Sequence, residues 1–112
     1  MGKPITPTID EVGGKYCRIS WEHVTPGDDC GWVQFPHYPH RTITVEGPLG
    51  TVCRILGSNR PKLGEEDNSG SFALLDETGD QIIGPGMYAP RLNPLSLRPE
   101  VTKGGPVTIT ML

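Results

Sequence analysis

The residues whose types and spacing come closest to a reactive site are Cys30, His37 and His40, with His23 and Cys53 in reserve. Thiolate and imidazole groups bind zinc, and His37 and His40 are close enough in the chain to converge on one ion. Structural zinc sites, however, usually contain paired C-x₂-C knuckles, and the sequence has none. Cys53 also lies on an apolar alternating face, which is typical of a small core residue. We therefore predict no metal site.

Acidic residues raise the alternative of a calcium site. Glu65, Glu66, Asp67, Asp76 and Asp80 all fall in loop-like segments. The spacing of a calcium-binding EF-hand loop is absent, and the five residues are divided between two separate turns. We interpret them as solvated loop carboxylates.

Catalytic groups are equally hard to assemble. A nucleophilic Cys30 would need a histidine beside it and a third group that orients the histidine, and only the presence of these residue types supports such a set. Glu46 lies at the end of a predicted strand and Glu100 follows Pro99, and both positions suit surface exposure. The sequence has no GxGxxG, GxxxxGK[ST], GxSxG or HExxH motif. We predict that the chain is not an enzyme and requires no cofactor.

Length and composition describe one small domain with a lean core. The chain has 112 residues, of which 35% are apolar, and a domain of this size buries only about 60–70% of its unfolded surface. Contact with a partner would therefore add burial that the chain lacks alone.

A net charge of −3 without a basic run argues against binding to nucleic acid. No stretch approaches the roughly 18 apolar residues of a membrane span. An odd number of cysteines, three, without an apolar signal segment favours free thiols and a cytoplasmic place of synthesis.

The frequent glycine and proline residues predict the fold class. The chain contains 15 Gly and 12 Pro, which leave little room for a helix. Between these breaks apolar and polar residues alternate with the period of two that strands require. We predict an all-β, antiparallel β-sandwich of seven to eight short strands, at residues 16–24, 32–35, 41–46, 51–56, 71–75, 81–83, 95–101 and 107–111. The strands at 41–46 and 51–56 flank a tight turn, and we predict that they pair as a hairpin.

Two segments stand outside this pattern. Residues 1–14 contain Pro4 and Pro7 and no periodic segment, which predicts an extended N-terminal arm joined to a single domain at 15–112. Residues 57–70 form a long polar loop. Arms and loops of this kind are where a scaffold makes contacts with other proteins.

The order of the motifs resembles that of small all-β proteins encoded among the head genes of tailed bacteriophages, which decorate or cement the capsid. The similarity covers residues 18–112. It is carried by Ser20-Trp21, Pro26-Gly27-Asp28, Phe35-Pro36-His37-Tyr38, the strand at 41–47, Arg54-Ile55-Leu56-Gly57-Ser58-Asn59, Leu74-Leu75-Asp76 with Gly79, Arg98-Pro99-Glu100-Val101, Gly104-Gly105 and the strand at 107–112. The arm and the lengthened loop at 60–70 depart from it.

The resemblance implies a jelly-roll-like virion protein on the outer capsid surface, made in the host cytoplasm. It would bind the major capsid protein and itself, as a homo-dimer or homo-trimer, with no nucleic acid or membrane partner. The expected contact residues are Ile5, Thr6, Pro7, Ile9, Arg60, Lys62 and Leu63.

Two alternatives remain open. The chain could be another phage component of the tail, neck or fibre. It could also be a carbohydrate-binding module that uses Trp32 and Tyr38, because exposed aromatic rings stack on sugars.

Overall fold

A computed structural model describes residues 4–12, 15–34, 42–60, 69–92 and 94–112. The described residues form nine strands and no helix. The strands are β1 Thr8–Val12, β2 Lys15–Val24, β3 Val33–Gln34, β4 Ile43–Glu46, β5 Val52–Ser58, β6 Phe72–Ala73, β7 Gly86–Tyr88, β8 Ser96–Lys103 and β9 Val107–Met111. In this part of the chain no helix could cross a membrane.

The strands form two sheets, and every pairing between named strands is antiparallel. One sheet has five strands in the order β1-β2-β9-β4-β7, and the other has four in the order β3-β8-β5-β6. Buried side chains from both sheets form a single apolar cluster. The predicted all-β, sandwich-like class is therefore confirmed at the level of two antiparallel sheets.

Alternation along the strands explains the shared core. In β9 the side chains of Val107, Ile109 and Met111 are buried, while Thr108 and Thr110 between them are half-exposed. The last residue of the chain is also bonded to the sheet at the start of β4. The Leu112 N–H donates to the Thr42 carbonyl at 2.9 Å, and the Thr42 N–H donates back at 3.2 Å.

The predicted hairpin between residues 41–46 and 51–56 is wrong. β4 lies between β9 and β7, whereas β5 lies between β8 and β6 in the other sheet. Both strands bury one face in the common core, so the turn between them crosses from one sheet to the other.

The sequence predicts an extended N-terminal arm without a strand. The structure instead contains a strand, β1, in this segment. β1 pairs with β2, with Thr8 opposite Ser20, and Asp10 forms an ion pair with Arg18. As an edge strand β1 is exposed along much of its length, which explains why its sequence lacks apolar alternation. Ile5 packs against the core.

Smaller differences concern strand ends. β5 continues to Ser58, two residues beyond the predicted end. The predicted strand at 81–83 is reduced to a single bridge between Gln81 and Leu75. β7 was not predicted, because the Gly84-Pro85-Gly86 break overlaps its first residue. β3 begins at Val33, one residue after the predicted start, and Phe35 lies outside the described residues.

Candidate functional site

An apolar cavity lies where the N-terminal segment crosses the residues that precede β3. The Ile5 N–H donates to the Asp29 carbonyl at 2.8 Å, and Pro4 forms a parallel bridge with Asp29. This contact lies beside a cavity of about 240 Å³ that is open to solvent and is lined by both segments. Its lining residues are Pro4, Ile5, Thr6, Pro7, Asp29, Cys30, Gly31, Trp32 and Val33.

Asp29 fixes the geometry of this cavity. One carboxylate oxygen, Oδ1, accepts the Gly31 N–H at 2.9 Å and Nη2 of Arg98 at 2.8 Å. Arg98 lies on β8, so its ion pair ties the residues before β3 to the centre of the four-stranded sheet. The Asp29 backbone holds the N-terminal segment while its side chain holds β8.

Cys30 forms part of the cavity floor and is only 4% exposed. Burial raises the pKa of its thiol to about 12, because the cost of desolvating a thiolate exceeds the opposing attraction of the Arg98 guanidinium. A thiol with this pKa is a poor nucleophile near neutral pH. The Cys30 carbonyl accepts the Trp21 indole N–H at 3.3 Å, so the residue acts as a packing element of the core.

The other candidate metal ligands are dispersed. Cys53 is 1% exposed on β5, where burial raises the pKa of its thiol. His23 is exposed at an irregularity of β2 with a φ of 56°. His37 and His40 lie outside the described residues. Across the described ranges, no group of three or more His, Cys, Asp or Glu side chains could hold a metal ion.

A second, polar cleft of about 410 Å³ is lined by Gly27, Asp28, Asp29, Arg98, Glu100, Val101 and Thr102. Its charged groups take part in structural contacts. Asp28 accepts both the N–H and the hydroxyl of Thr25, at 2.9 and 2.8 Å. Glu100 pairs with Arg54 at 3.0 Å. These hydrogen bonds and this ion pair stabilise the fold around the cleft.

The acidic turn at residues 76–80 is organised by its own backbone. Asp76 accepts the Ala89 N–H at 2.8 Å, and the Thr78 hydroxyl lies 3.0 Å from Asp76 and 3.1 Å from Asp80. The Ala89 hydrogen bond lowers the pKa of Asp76. Its carboxylate therefore serves as a hydrogen-bond acceptor within the turn.

The structure brings together some of the expected contact residues. Ile5, Thr6 and Pro7 line the apolar cavity, whereas Ile9 lies on β1 and is 36% exposed. Arg60 is exposed beyond β5, where its carbonyl accepts the Ser96 hydroxyl at 2.7 Å. Lys62 and Leu63 lie outside the described residues, as does Tyr38.

Trp32 does not present a sugar-binding face. Its side chain is 2% exposed, and a stacking platform needs an open ring. The carbohydrate-binding alternative loses the tryptophan on which it depended.

Sequence reasoning missed several exposed apolar side chains, and three of them lie next to a glycine. Leu49 is 98% exposed, Met87 73% and Ile83 48%. Leu49 lies in a turn, Met87 in the edge strand β7 and Ile83 just before the Gly84-Pro85-Gly86 break. An apolar residue next to a glycine was the available sequence signal.

Comparison of the chain with models of protein families, with curated proteins and with solved structures found no match.

Proposed function

We propose that the chain is a decoration or cement protein that binds the major capsid protein on the outer surface of a tailed-phage head. The capsid comes from the resemblance of the sequence motifs, and the structural observation that supports a protein-binding role is the pair of exposed apolar side chains Ile83, just before β7, and Met87, within it. The two residues are four apart in the chain, and the Tyr88 hydroxyl next to Met87 reaches the Ile83 carbonyl; large apolar groups that are exposed close together are typical of a protein-binding surface.

The backbone that carries both residues is held in place before any partner arrives. Met87 lies opposite Thr44 on the outer face of the five-stranded sheet. The Tyr88 hydroxyl lies 2.7 Å from the Ile83 carbonyl and 2.9 Å from the Gly84 carbonyl, which fixes the backbone that leads into β7. Such preorganisation lowers the entropy lost when a surface docks.

The resulting stabilisation is modest for each copy and large for a shell. Complete burial of a Met or Ile side chain contributes about 1.5–3 kcal/mol, so at 73% and 48% exposure the pair offers about 2–4 kcal/mol per copy. Because the cement protein binds only the assembled state, this free energy stabilises the shell by linkage. Repetition around the symmetry axes of the shell multiplies the effect.

The finer parts of the proposal are a jelly-roll arrangement of the strands, self-association as a dimer or trimer, and contacts from the N-terminal segment and the 57–70 loop. Within the described N-terminal residues, Thr6 and Ile9 are exposed and could touch a partner. Ile5 already packs on the chain's own core, so deletion of residues 1–14 would disturb the fold as well as any docking. Point substitutions are therefore the cleaner test.

The first experiment measures copy number in virions of the phage that carries the gene. Quantitative mass spectrometry should find hundreds of copies per particle. A handful of copies would favour a tail, neck or fibre component instead, and absence from virions would overturn a virion role.

The second experiment measures binding to heads that lack the protein. Met87→Asp and Ile83→Asp should each weaken binding at least tenfold and lower the temperature at which decorated heads break open. Leu92→Asp is the matched control, because Leu92 is also an exposed apolar residue, at 55%. Binding of Met87→Asp equal to that of the control would refute the role of this surface.

A further inference from the structure

Residues 4–12, which we call the strap, lie on the outside of the core. None of residues 4–11 is buried, whereas every buried member of the apolar cluster lies at Ile19 or later in the chain. Among the described residues β2 is the only strand that pairs with β1, and Ile5 is the strap residue that packs against the apolar cluster. Detachment of the strap therefore removes no buried residue from the core.

The contacts that hold the strap are peripheral. Near its start the Ile5 N–H donates to the Asp29 carbonyl at 2.8 Å. Further along, β1 pairs with β2, but the register of this ladder shifts between Asp10 and Glu11. The side chains of the ion pair between Asp10 and Arg18 are 43% and 53% exposed, and an exposed pair stabilises a fold only weakly. Chain ends with few buried apolar contacts are the parts of a protein that open most readily.

Alternation of backbone direction shows how β2 shares its hydrogen bonds. Along an antiparallel strand, successive residues direct their N–H and carbonyl groups to opposite neighbours. Thr42 and Leu112 exchange two backbone hydrogen bonds, so Leu112 faces the side of β4, and Met111, one residue earlier, faces β2. Ile19 lies opposite Met111, and its backbone groups are therefore directed at β9.

The next residue of β2 faces the strap. Ser20 directs its backbone groups at β1, where it lies opposite Thr8, so the Thr8 N–H points towards β2. Ile9, one residue later, directs its N–H away from β2, and β1 is the edge of its sheet. A proline at Thr8 removes a hydrogen bond of the strap, whereas a proline at Ile9 removes none.

The strap also lines the apolar cavity that Cys30 lines from the other segment. We propose that the strap opens as one unit while both sheets stay folded, and that this opening uncovers the Cys30 thiol, which is 4% exposed when the strap is closed. Cys53, 1% exposed on β5, belongs to the core between the sheets and becomes accessible only when the whole domain unfolds. The opening needs neither a capsid nor a second copy, so a result against it leaves the proposed function untouched.

Thiol labelling tests the opening. Iodoacetamide at low concentration and pH 8 alkylates a thiol with loss of iodide and a proton, at a rate set by the population of the form that exposes it. Arg41 separates Cys30 from Cys53 in the sequence, so trypsin places them on different peptides and mass spectrometry follows both in one sample. After correction for the rates in fully denaturing urea, Cys30 should react at least tenfold faster than Cys53. Its rate should also rise less steeply with urea, because a local opening exposes less surface.

Substitutions separate local from global opening. Ile109→Val shortens a side chain of β9 that is 0% exposed and should speed labelling of Cys53 several-fold. Labelling of Cys30 should stay unchanged in this variant, because the core persists when the strap opens. Thr8→Pro should speed labelling of Cys30 at least threefold relative to Ile9→Pro, the matched control that keeps the hydrogen bonds between β1 and β2.

Two labelling results would overturn the proposal. One is equal labelling of Cys30 and Cys53 with the same urea dependence, and the other is an Ile109→Val protein in which both cysteines speed by the same factor. Either result means that Cys30 is reached by global unfolding alone. Hydrogen exchange of the wild type is an independent test: the amides of Ile5 and Thr8 should exchange with one urea dependence, faster than the amides of β9. If the Thr8 amide exchanges only at the rate of global unfolding, the strap does not open as a unit.

Discussion

The ion pair between Arg98 and Asp29 should stabilise the fold more than the ion pair between Arg54 and Glu100, which also involves β8. Arg98→Met removes the charge and keeps most of the aliphatic stem. The side chains of Arg98 and Asp29 are only 18% and 32% exposed, and their atoms Nη2 and Oδ1 are 2.8 Å apart. Removal of Arg98 leaves a half-buried carboxylate with the Gly31 N–H as a remaining donor. We expect a loss of about 1–3 kcal/mol, between the values for exposed and buried pairs.

Arg54→Met is the matched control. Arg54 on β5 pairs with Glu100 on β8, the strand that carries Arg98, at 3.0 Å, with side chains 50% and 29% exposed. An exposed pair of this kind contributes about 0–1 kcal/mol. The two variants therefore compare one ion pair at the cavity with one on the open face of the sheet.

Urea unfolding followed by tryptophan fluorescence is a suitable assay, since Trp21 and Trp32 are both buried. Hydrogen exchange adds a local reading, because the Asp29 carbonyl accepts the Ile5 N–H at 2.8 Å. Arg98→Met should speed exchange of the Ile5 amide more than that of amides in β9. The reasoning is refuted if Arg98→Met costs no more free energy of unfolding than Arg54→Met.

Three further predictions concern single groups. Tyr88→Phe removes the hydroxyl that lies 2.7 and 2.9 Å from two backbone carbonyls, and should lower the free energy of unfolding by about 1–2 kcal/mol in urea; an unchanged midpoint would contradict this. The pKa of Asp76 is lowered from 3.8 by the Ala89 N–H, so its contribution is present above pH 3.8 and is lost as the pH falls through the folded pKa. Asp76→Asn should flatten the acid side of the stability profile, and an identical profile would refute the assignment. The pKa of Cys30 is raised from 9.0 to about 12, so its contribution is present below pH 9 and is lost as the pH rises towards 12. Cys30→Ala should show a weaker alkaline loss of stability than the wild type, measured by unfolding at pH 8 to 11, and an equally steep loss would count against this.

The sequence could predict the strands whose two faces differ. The alternation in β4 and β9 directly reports that one face is buried, and Ile43, Val45, Val107, Ile109 and Met111 are buried as expected. Composition was sufficient for the all-β class, because frequent Gly and Pro exclude long helices.

The sequence could not predict which strands pair. The turn at residues 47–50 shows that the chain reverses, but the same turn can join neighbours in one sheet or strands in two sheets. β1 carries no apolar alternation because it is an edge strand, and its position depends on pairing with β2. β7 has three residues, too few for a periodic pattern.

The cavity was beyond sequence reasoning for a similar reason. Ile5, Thr6 and Pro7 were singled out as contact residues, and they do lie together. The wall opposite them comes from residues 29–33, which are distant in the sequence and meet them at the backbone contacts of Pro4 and Ile5 with Asp29. No local pattern encodes that meeting, and contact of these residues with a capsid stays a prediction.

β1 has a consequence for the handling of this protein. It covers the outer edge of β2, the longest described strand at ten residues, whose Ile19 and Trp21 belong to the core. β1 itself carries Asp10 and Glu11 at an irregularity in the register, and charge and irregularity both discourage an edge from pairing with other chains. A protease cut or a bulky N-terminal fusion that displaced β1 would replace this guarded edge with the long edge of β2. Preparations nicked at the N-terminus should therefore form fibrils or amorphous aggregates more readily than the intact chain.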